Sequence, residues 1–389
     1  MNYKLGVWWI VFVLVLSACS GNTAVAPSTT EEPPTPYPDT PAPAQINAPK
    51  VESPDIIVLD MFNELEGWAV TGAEIVRTND GGITWYNVSP PDMTETGYSV
   101  DTFFLDNQYA WVQKSDPENY PKSGTIYQTE DGGQSWGNFV VPFSRGDLSF
   151  VDAKNGWMMA DLGVGAGSNA IAVFQTTDGG YTWDKSYSND PNEATASASL
   201  PLGGIKSDLV PQDESQAWVT GTVYAPGEVY LYRTVDHGKS WKQVNLPLPP
   251  EVQNFELGID KDQMKFVSAT DGYIALRMSG DATQTAVYVT RDAGNTWSLT
   301  PTVLDGAGAS TFLTGQDAII YNGEQFQVTS DGAQTWTAVS PDISFSETFV
   351  GMDFVNLMSG WVISMDPSTN HRSLYRTQDG GATWLPIVP

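Results

Sequence analysis

The chain has 389 residues, and 46 acidic against 18 basic side chains give it a formal charge of −28. A field of that sign repels phosphate backbones and anionic lipid surfaces, which excludes nucleic-acid binding and electrostatic docking on a membrane. Cys19 is the only cysteine, so no disulfide forms within one chain.

In chain order, Lys4 supplies a positive start, and residues 5–16 form an apolar run as long as a signal-peptide core. Leu16-Ser17-Ala18-Cys19 follows and resembles a bacterial lipobox. The resemblance implies a lipoprotein signal peptide over 1–18, cleavage before Cys19, and lipid on its thiol. The protein is then expected outside the cytoplasm, anchored in a membrane through Cys19, at the cell surface or on the periplasmic side. An ordinary signal peptide with an incidental Cys, or an uncleaved anchor, is the plain alternative. No second apolar run is long enough to span a bilayer. Residues 20–50 are dominated by Pro, Thr, Ser and Ala. Such a segment buries too little apolar surface to offset its ordering entropy, and its prolines favour an extended form. Residues 19–50 are therefore expected to be a lipidated Cys followed by a disordered, semi-stiff spacer, with the folded domain over 51–389.

That domain is a repeat. The stretch TNDGGITW at 78–85 returns as TEDGGQSW (129–136), TTDGGYTW (176–183), TVDHGKSW (234–241), TRDAGNTW (290–297), TSDGAQTW (329–336) and TQDGGATW (377–384). The period is about 50 residues, the length of one four-stranded propeller blade. Before each copy lies a second motif, as in EGWAV, YAWVQ, NGWMM, QAWVT and SGWVI, with Tyr273 and Ile319 replacing Trp in the fifth and sixth repeats. A short apolar run precedes that motif. Each unit thus reads as strand A, a tight turn, strand B, strand C, the Gly-rich loop and strand D. The fold class expected is all-β: a seven-bladed β-propeller with four antiparallel strands per blade. A β-sandwich or β-helix is the less favoured alternative.

These residues resemble the Asp-box, or BNR, repeat S/T-x-D-x-G-x-T-W, across all seven units. Propellers with this box include sialidases, sortilin-type receptors, xyloglucan-cleaving endoglucanases, and the photosystem II assembly and stability factors. The unit number and the RTxDGGxTW form at Arg77, Arg233 and Arg376 look most like the last group. His237, Ala293 and Ala333 depart from the box consensus.

The box joins strands C and D. An Asp accepting its own following N–H groups makes an Asx-turn, and glycine permits positive φ. The Trp five residues on is expected to pack between neighbouring blades with its N–H bonded. A metal site needs several converging oxygens, and each box offers one Asp. Catalysis needs a pair of groups with separated pKa values. The structural set is therefore Asp80 with Trp85, Asp131 with Trp136, Asp178 with Trp183, Asp236 with Trp241, Asp292 with Trp297, Asp331 with Trp336, and Asp379 with Trp384. No catalytic, cofactor or metal residue is expected. His237 and His371 are isolated, and Arg145-Gly146-Asp147 is read as a coincidental triplet.

Function is expected on the other face, where loops differ in length, notably 113–124, 160–169, 186–208 and 221–228. A protein or glycan partner is expected there, which makes the chain a binding or complex-assembly module. Candidate binding residues are Arg145, Arg277 and Arg372 in that face, and Arg77 and Arg376 as a small basic patch between the first and last blades. The alternative is a glycoside hydrolase, sialidase-like or another Asp-box glycosidase. Against it, the F-R-I-P motif of sialidases is absent.

Overall fold

Alternation between buried and open positions dictates the elements seen. In a computed structural model, residues 45–388 are described, apart from 94, 95, 98, 99 and 195. The signal peptide, Cys19 and most of the spacer lie outside the described residues. Among the described residues the only named helix is a short 3-10 turn at Pro250–Asn254, and no helix is long and apolar enough to cross a membrane.

Repeat one shows the plan. Strand A is Ile56–Met61, B is Gly67–Thr71, C is Ile75–Thr78 and D is Trp85–Asn87, joined in sequence as an antiparallel sheet. Four-stranded sheets of the same order follow for repeats two, three, six and seven. Repeats four and five share one nine-stranded sheet, because Glu256–Gly258 pairs both with its own strand B and with Ala217–Val223 of repeat four. Strand B is the most buried element in each sheet, with Trp68, Trp111, Trp157, Trp218 and Trp361 fully enclosed. The A strands form the inner edges, and those of repeats two and three, three and four, six and seven, and seven and one pack on each other, so the sheets close into a ring around a channel.

Closure combines two features. Repeat seven supplies all four of its own strands, Phe349–Phe354, Gly360–Met365, Arg372–Thr377 and Leu385–Ile387. In addition, Lys50–Val51 adds a fifth strand to the outer edge of repeat one, with Lys50 opposite Tyr86 and Val51 opposite Trp85. The expected boundary at 50/51 therefore falls inside a strand. Ile46 and Ala48 already pack against Trp68, Val88 and Met93, so the ordered body starts before residue 51.

Candidate functional site

The seven Gly-rich loops share one hydrogen-bond pattern, except that in the first no Thr84 hydroxyl bond to Asp80 is formed. In the last, Thr377 Oγ1 donates to Asp379 Oδ1 at 2.9 Å, Thr383 N donates to the same oxygen at 2.9 Å, and the Thr383 hydroxyl donates to Oδ2 at 2.7 Å. Gly381 N closes the loop on Thr377 Oγ1 at 3.0 Å. The Thr383 donors hold the Asp379 carboxyl below the usual carboxylate range, and the equivalent Thr335 donors bring Asp331 down to about 2. Both positions after the Asp have positive φ; His237 and Ala293 at the first, and Ala333 at the second, adopt 60°, 60° and 65°. Asp379 borders a cavity of about 430 Å³ with Ile83, Arg376 and Leu385, yet its two oxygens are committed to the loop. Asp379→Ala strands three donors, and we expect a stability loss of about 1–3 kcal/mol in urea titration, toward the lower end because water reaches Thr383. An unchanged midpoint would contradict this role.

Each box Trp packs against strand B of the preceding repeat. Trp85 shares a core with Trp361, Trp183 with Trp111, Trp241 with Trp157, and Trp297 with Trp218. Trp136 meets Trp68 edge-on at 6.4 Å, Trp336 packs with Tyr273, and Trp384 with Ile319. As expected, Trp136 reaches Val88 O in the neighbouring repeat, and Trp183, Trp241 and Trp384 donate back to their own box carbonyl; Trp297 and Trp336 have no acceptor among the described residues. The bonds that cross between repeats come chiefly from the strand-B Trp: Trp68 to Asp106 O, Trp111 to Gly179 O, Trp157 to Asp213 O and Trp361 to Gly81 O.

The arginines of strand C belong to the same joints. Arg77, Arg233 and Arg376 sit directly across from Trp68, Trp218 and Trp361, with each guanidinium about 5 Å above the indole. Arg77 Nη1 then donates to Gly132 O at 2.9 Å, and Arg376 Nη2 to Glu64 O at 3.2 Å. Arg77 and Arg376 thus bridge two different joints rather than forming one basic patch.

The three arginines assigned to the loop-rich face, Arg145, Arg277 and Arg372, are each held by a different carboxylate, so they do not form one clamp. Arg145 donates to Asp161 Oδ2 through Nε and Nη2 at 2.9 and 2.7 Å. Arg277 donates to Asp260 at 2.8 and 3.2 Å, and Arg372 binds Asp55 at 2.9 Å.

Around the first two lies a band of exposed side chains. Arg145 stacks 5.0 Å from the ring of Tyr120, which is 37% exposed. The long hairpin Gly156–Gly165 to Ser168–Thr176 carries Val164 near its tip, 64% exposed. At the turn, Gly167 lies so close to Tyr224 that a Cβ there would sit 3.1 Å from the ring. Tyr224 itself is 65% exposed. The position of this hairpin is set by Lys206, a buried ammonium bonded to Asn169 O, Leu202 O and Gly204 O at 2.9–3.1 Å. Burial lowers Lys206 to about 8. Lys206→Met leaves three carbonyls without that donor. We expect a loss of about 1–3 kcal/mol and faster protease cutting within 189–204; cutting at the wild-type rate would contradict the assignment.

The channel wall carries a second constellation. Asp101 accepts Gly146 N at 3.3 Å, Asp147 accepts Leu209 N at 2.5 Å, and Asp208 accepts Asp262 N at 3.1 Å. These bonds tie repeat two to three, three to four and four to five. At the joint of repeats seven and one, Asp353 accepts Met61 N at 2.5 Å. Lys261 extends to Asp147 at 2.9 Å. Burial raises Asp101 and Asp353 to about 6, and burial with the Asp353 charge raises Asp60 to about 7. Among the described residues no group of three His, Cys, Asp or Glu is arranged to hold a metal ion.

A family model described as Sortilin, neurotensin receptor 3, matches residues 171–312. No curated protein gives a significant match. Among solved structures, YCF48 bound to D1 peptide is 18% identical, over 88% of this chain and 99% of that one, with a TM-score of 0.50. This chain is a β-propeller. The GH74 xyloglucanase from Xanthomonas campestris is 12% identical with a TM-score of 0.57, over 86% of the present chain. The propeller spans 55% of that enzyme. At these identities the likeness is one of fold.

The channel carboxylates escaped the sequence reading, although a signal existed. Asp101, Asp147 and Asp208 each stand ten residues before the strand-B Trp of their repeat, and Asp60 and Asp353 each stand eight before it. Aligning the repeats on that Trp, rather than on the box, places these carboxylates in two layers of the propeller wall.

Proposed function

We propose that this chain is a lipid-anchored extracytoplasmic propeller of seven Asp-box blades, counting the nine-stranded sheet as two, that acts as a binding or complex-assembly module through its loop-rich face. Signal peptide 1–18, Cys19 and the spacer would tether it. The observation that carries the reading is the exposed band of Tyr120, Val164 and Tyr224, with Lys206 fixing the base of the hairpin that carries Val164. Large aromatics are enriched where proteins bind, because they bring area at little entropic cost. A protein partner is in keeping with the similar fold of YCF48, solved with a D1 peptide. To test it, captures on the full-length protein and on a Tyr120→Ala/Tyr224→Ala variant are compared by mass spectrometry. The reading expects a partner retained by the first and lost by the second; equal retention would reject this face.

The second reading, a glycoside hydrolase, draws on one observation: Asp60 and Asp353 are neighbouring carboxyls displaced to about 7 and about 6. Such a pair suits acid and base roles. Against it, Asp353 is bonded to Met61 N within the wall. A panel of sialosides and β-glucans should show no turnover; turnover lost in Asp60→Asn would establish the enzyme instead.

A further inference from the structure

We propose that the band between Tyr120 and Tyr224 docks an extended, arginine- or lysine-bearing segment of a partner protein. This rests on the loop-rich face being the binding surface and adds the chemistry of what binds. The molecule already contains half of the arrangement: Arg145 lies over Tyr120 while bonded to Asp161, a cation held between a ring and a carboxylate. Tyr224 offers the same ring with no stacked cation among the described residues, and it is more exposed. Val223 pairs with Leu257, which brings Glu256 alongside Tyr224. Glu256 and Asp260 are 41% and 47% exposed, and both pair with Arg277. Val164 and Leu202 lie exposed along the intervening surface, where the aliphatic stems of long cationic side chains pack well. The charge of the whole chain, −28, attracts cations and repels anionic glycans without singling out this face. Stacking on the ring then distinguishes a seated cation from one merely held in the field.

The probes are fluorescein-labelled (Gly-Arg)4, (Gly-Glu)4 and cellohexaose, added to the full chain, with anisotropy or calorimetry as readout. The arginine peptide should bind, and (Gly-Glu)4 should not. Tyr224→Ala should weaken binding at least about tenfold, while Tyr224→Phe, which keeps the ring, stays within about threefold of wild type. Glu130→Gln, on the box side, should leave it unchanged. Arginine-peptide binding indifferent to Tyr224→Ala, or reduced equally by Glu130→Gln, would overturn the proposal as non-specific attraction. Cellohexaose binding in place of the peptide, lost in Tyr224→Ala, would overturn the partner chemistry while leaving the face as the binding surface. Absence of binding by all three probes would also overturn it, and the capture experiment above would then decide the face on its own.

Discussion

Melting temperature should fall by on the order of 5–10 °C between pH 5 and pH 8. The cause is the channel wall. Asp101 and Asp353 titrate near 6 and Asp60 near 7 in the folded chain, against an ordinary value of 3.8. Between about pH 4 and 7 the folded state therefore holds protons that the unfolded state has released. Folding takes up protons in that window, so stability declines as pH rises through it. The effect amounts to about 1–4 kcal/mol for each displaced carboxyl, and the charge of −28 acts in the same direction. The box acids act oppositely. The folded values of Asp131, Asp178, Asp236, Asp292 and Asp379 are depressed, and that of Asp331 falls to about 2, so their contribution is lost as pH falls below about 4. Maximum stability is thus expected in the mildly acidic range. Calorimetry across pH 3–8 checks the dome, and Asp60→Asn should flatten its alkaline limb. A melting temperature that is level, or that rises from pH 5 to 8, would refute the placement of these carboxyls.

Trp361→Ala should cost about 3–5 kcal/mol, the usual range for emptying a fully buried Trp site. Its consequence should also spread further than that of Trp111→Ala. Both indoles are enclosed and both reach the next repeat, at 3.0 Å to Gly81 O and 2.8 Å to Gly179 O. Repeats two and three are joined by a short connection, whereas repeats seven and one meet at opposite ends of the chain. Opening that seam releases a long loop and gains more chain entropy. What holds it is side-chain chemistry: Asp353 on Met61 N, Glu64 accepting from Asn356 and Ser359, and Arg372 on Asp55. In Trp361→Ala, amide exchange should accelerate in both Gly67–Thr71 and Gly360–Met365. In Trp111→Ala it should stay local to repeats two and three. Identical exchange patterns in the two variants would count against a seam.

Much of the architecture was legible because it is written many times. A box recurring at near-constant spacing marks the turn between strands C and D, and the Trp of strand B marks the buried centre of each sheet. The alternation of faces followed, since the A–B turns and boxes are short while the B–C and D–A loops vary. What single residues do was less legible. Arg77 and Arg376 looked like surface charge, and only pairing register shows that each lies across from a Trp. Arg145, Arg277 and Arg372 were placed on one face, yet each is held by its own carboxylate, for Arg372 one at the other end of the chain, Asp55. His237 and Ala293 looked like faults in the box, but their backbone accepts the left-handed region that the turn requires. Lys206 gave no signal at all, because its three acceptors are backbone carbonyls. The added strand was half legible: the sequence leaves open whether the ring closes in phase or a strand from about residues 46–52 adds to an edge, and Lys50–Val51 does pair at the edge of repeat one.

The central claim is recognition through the loop-rich face, and site-specific photo-crosslinking tests it most directly. A benzophenone side chain placed at Tyr224, and separately at Tyr181 in the third box, is activated in cells that make the protein. Both sites are exposed, so access does not separate them. The account predicts a discrete crosslinked partner from position 224 and none from 181. The same partner crosslinking from 181 alone would contradict it.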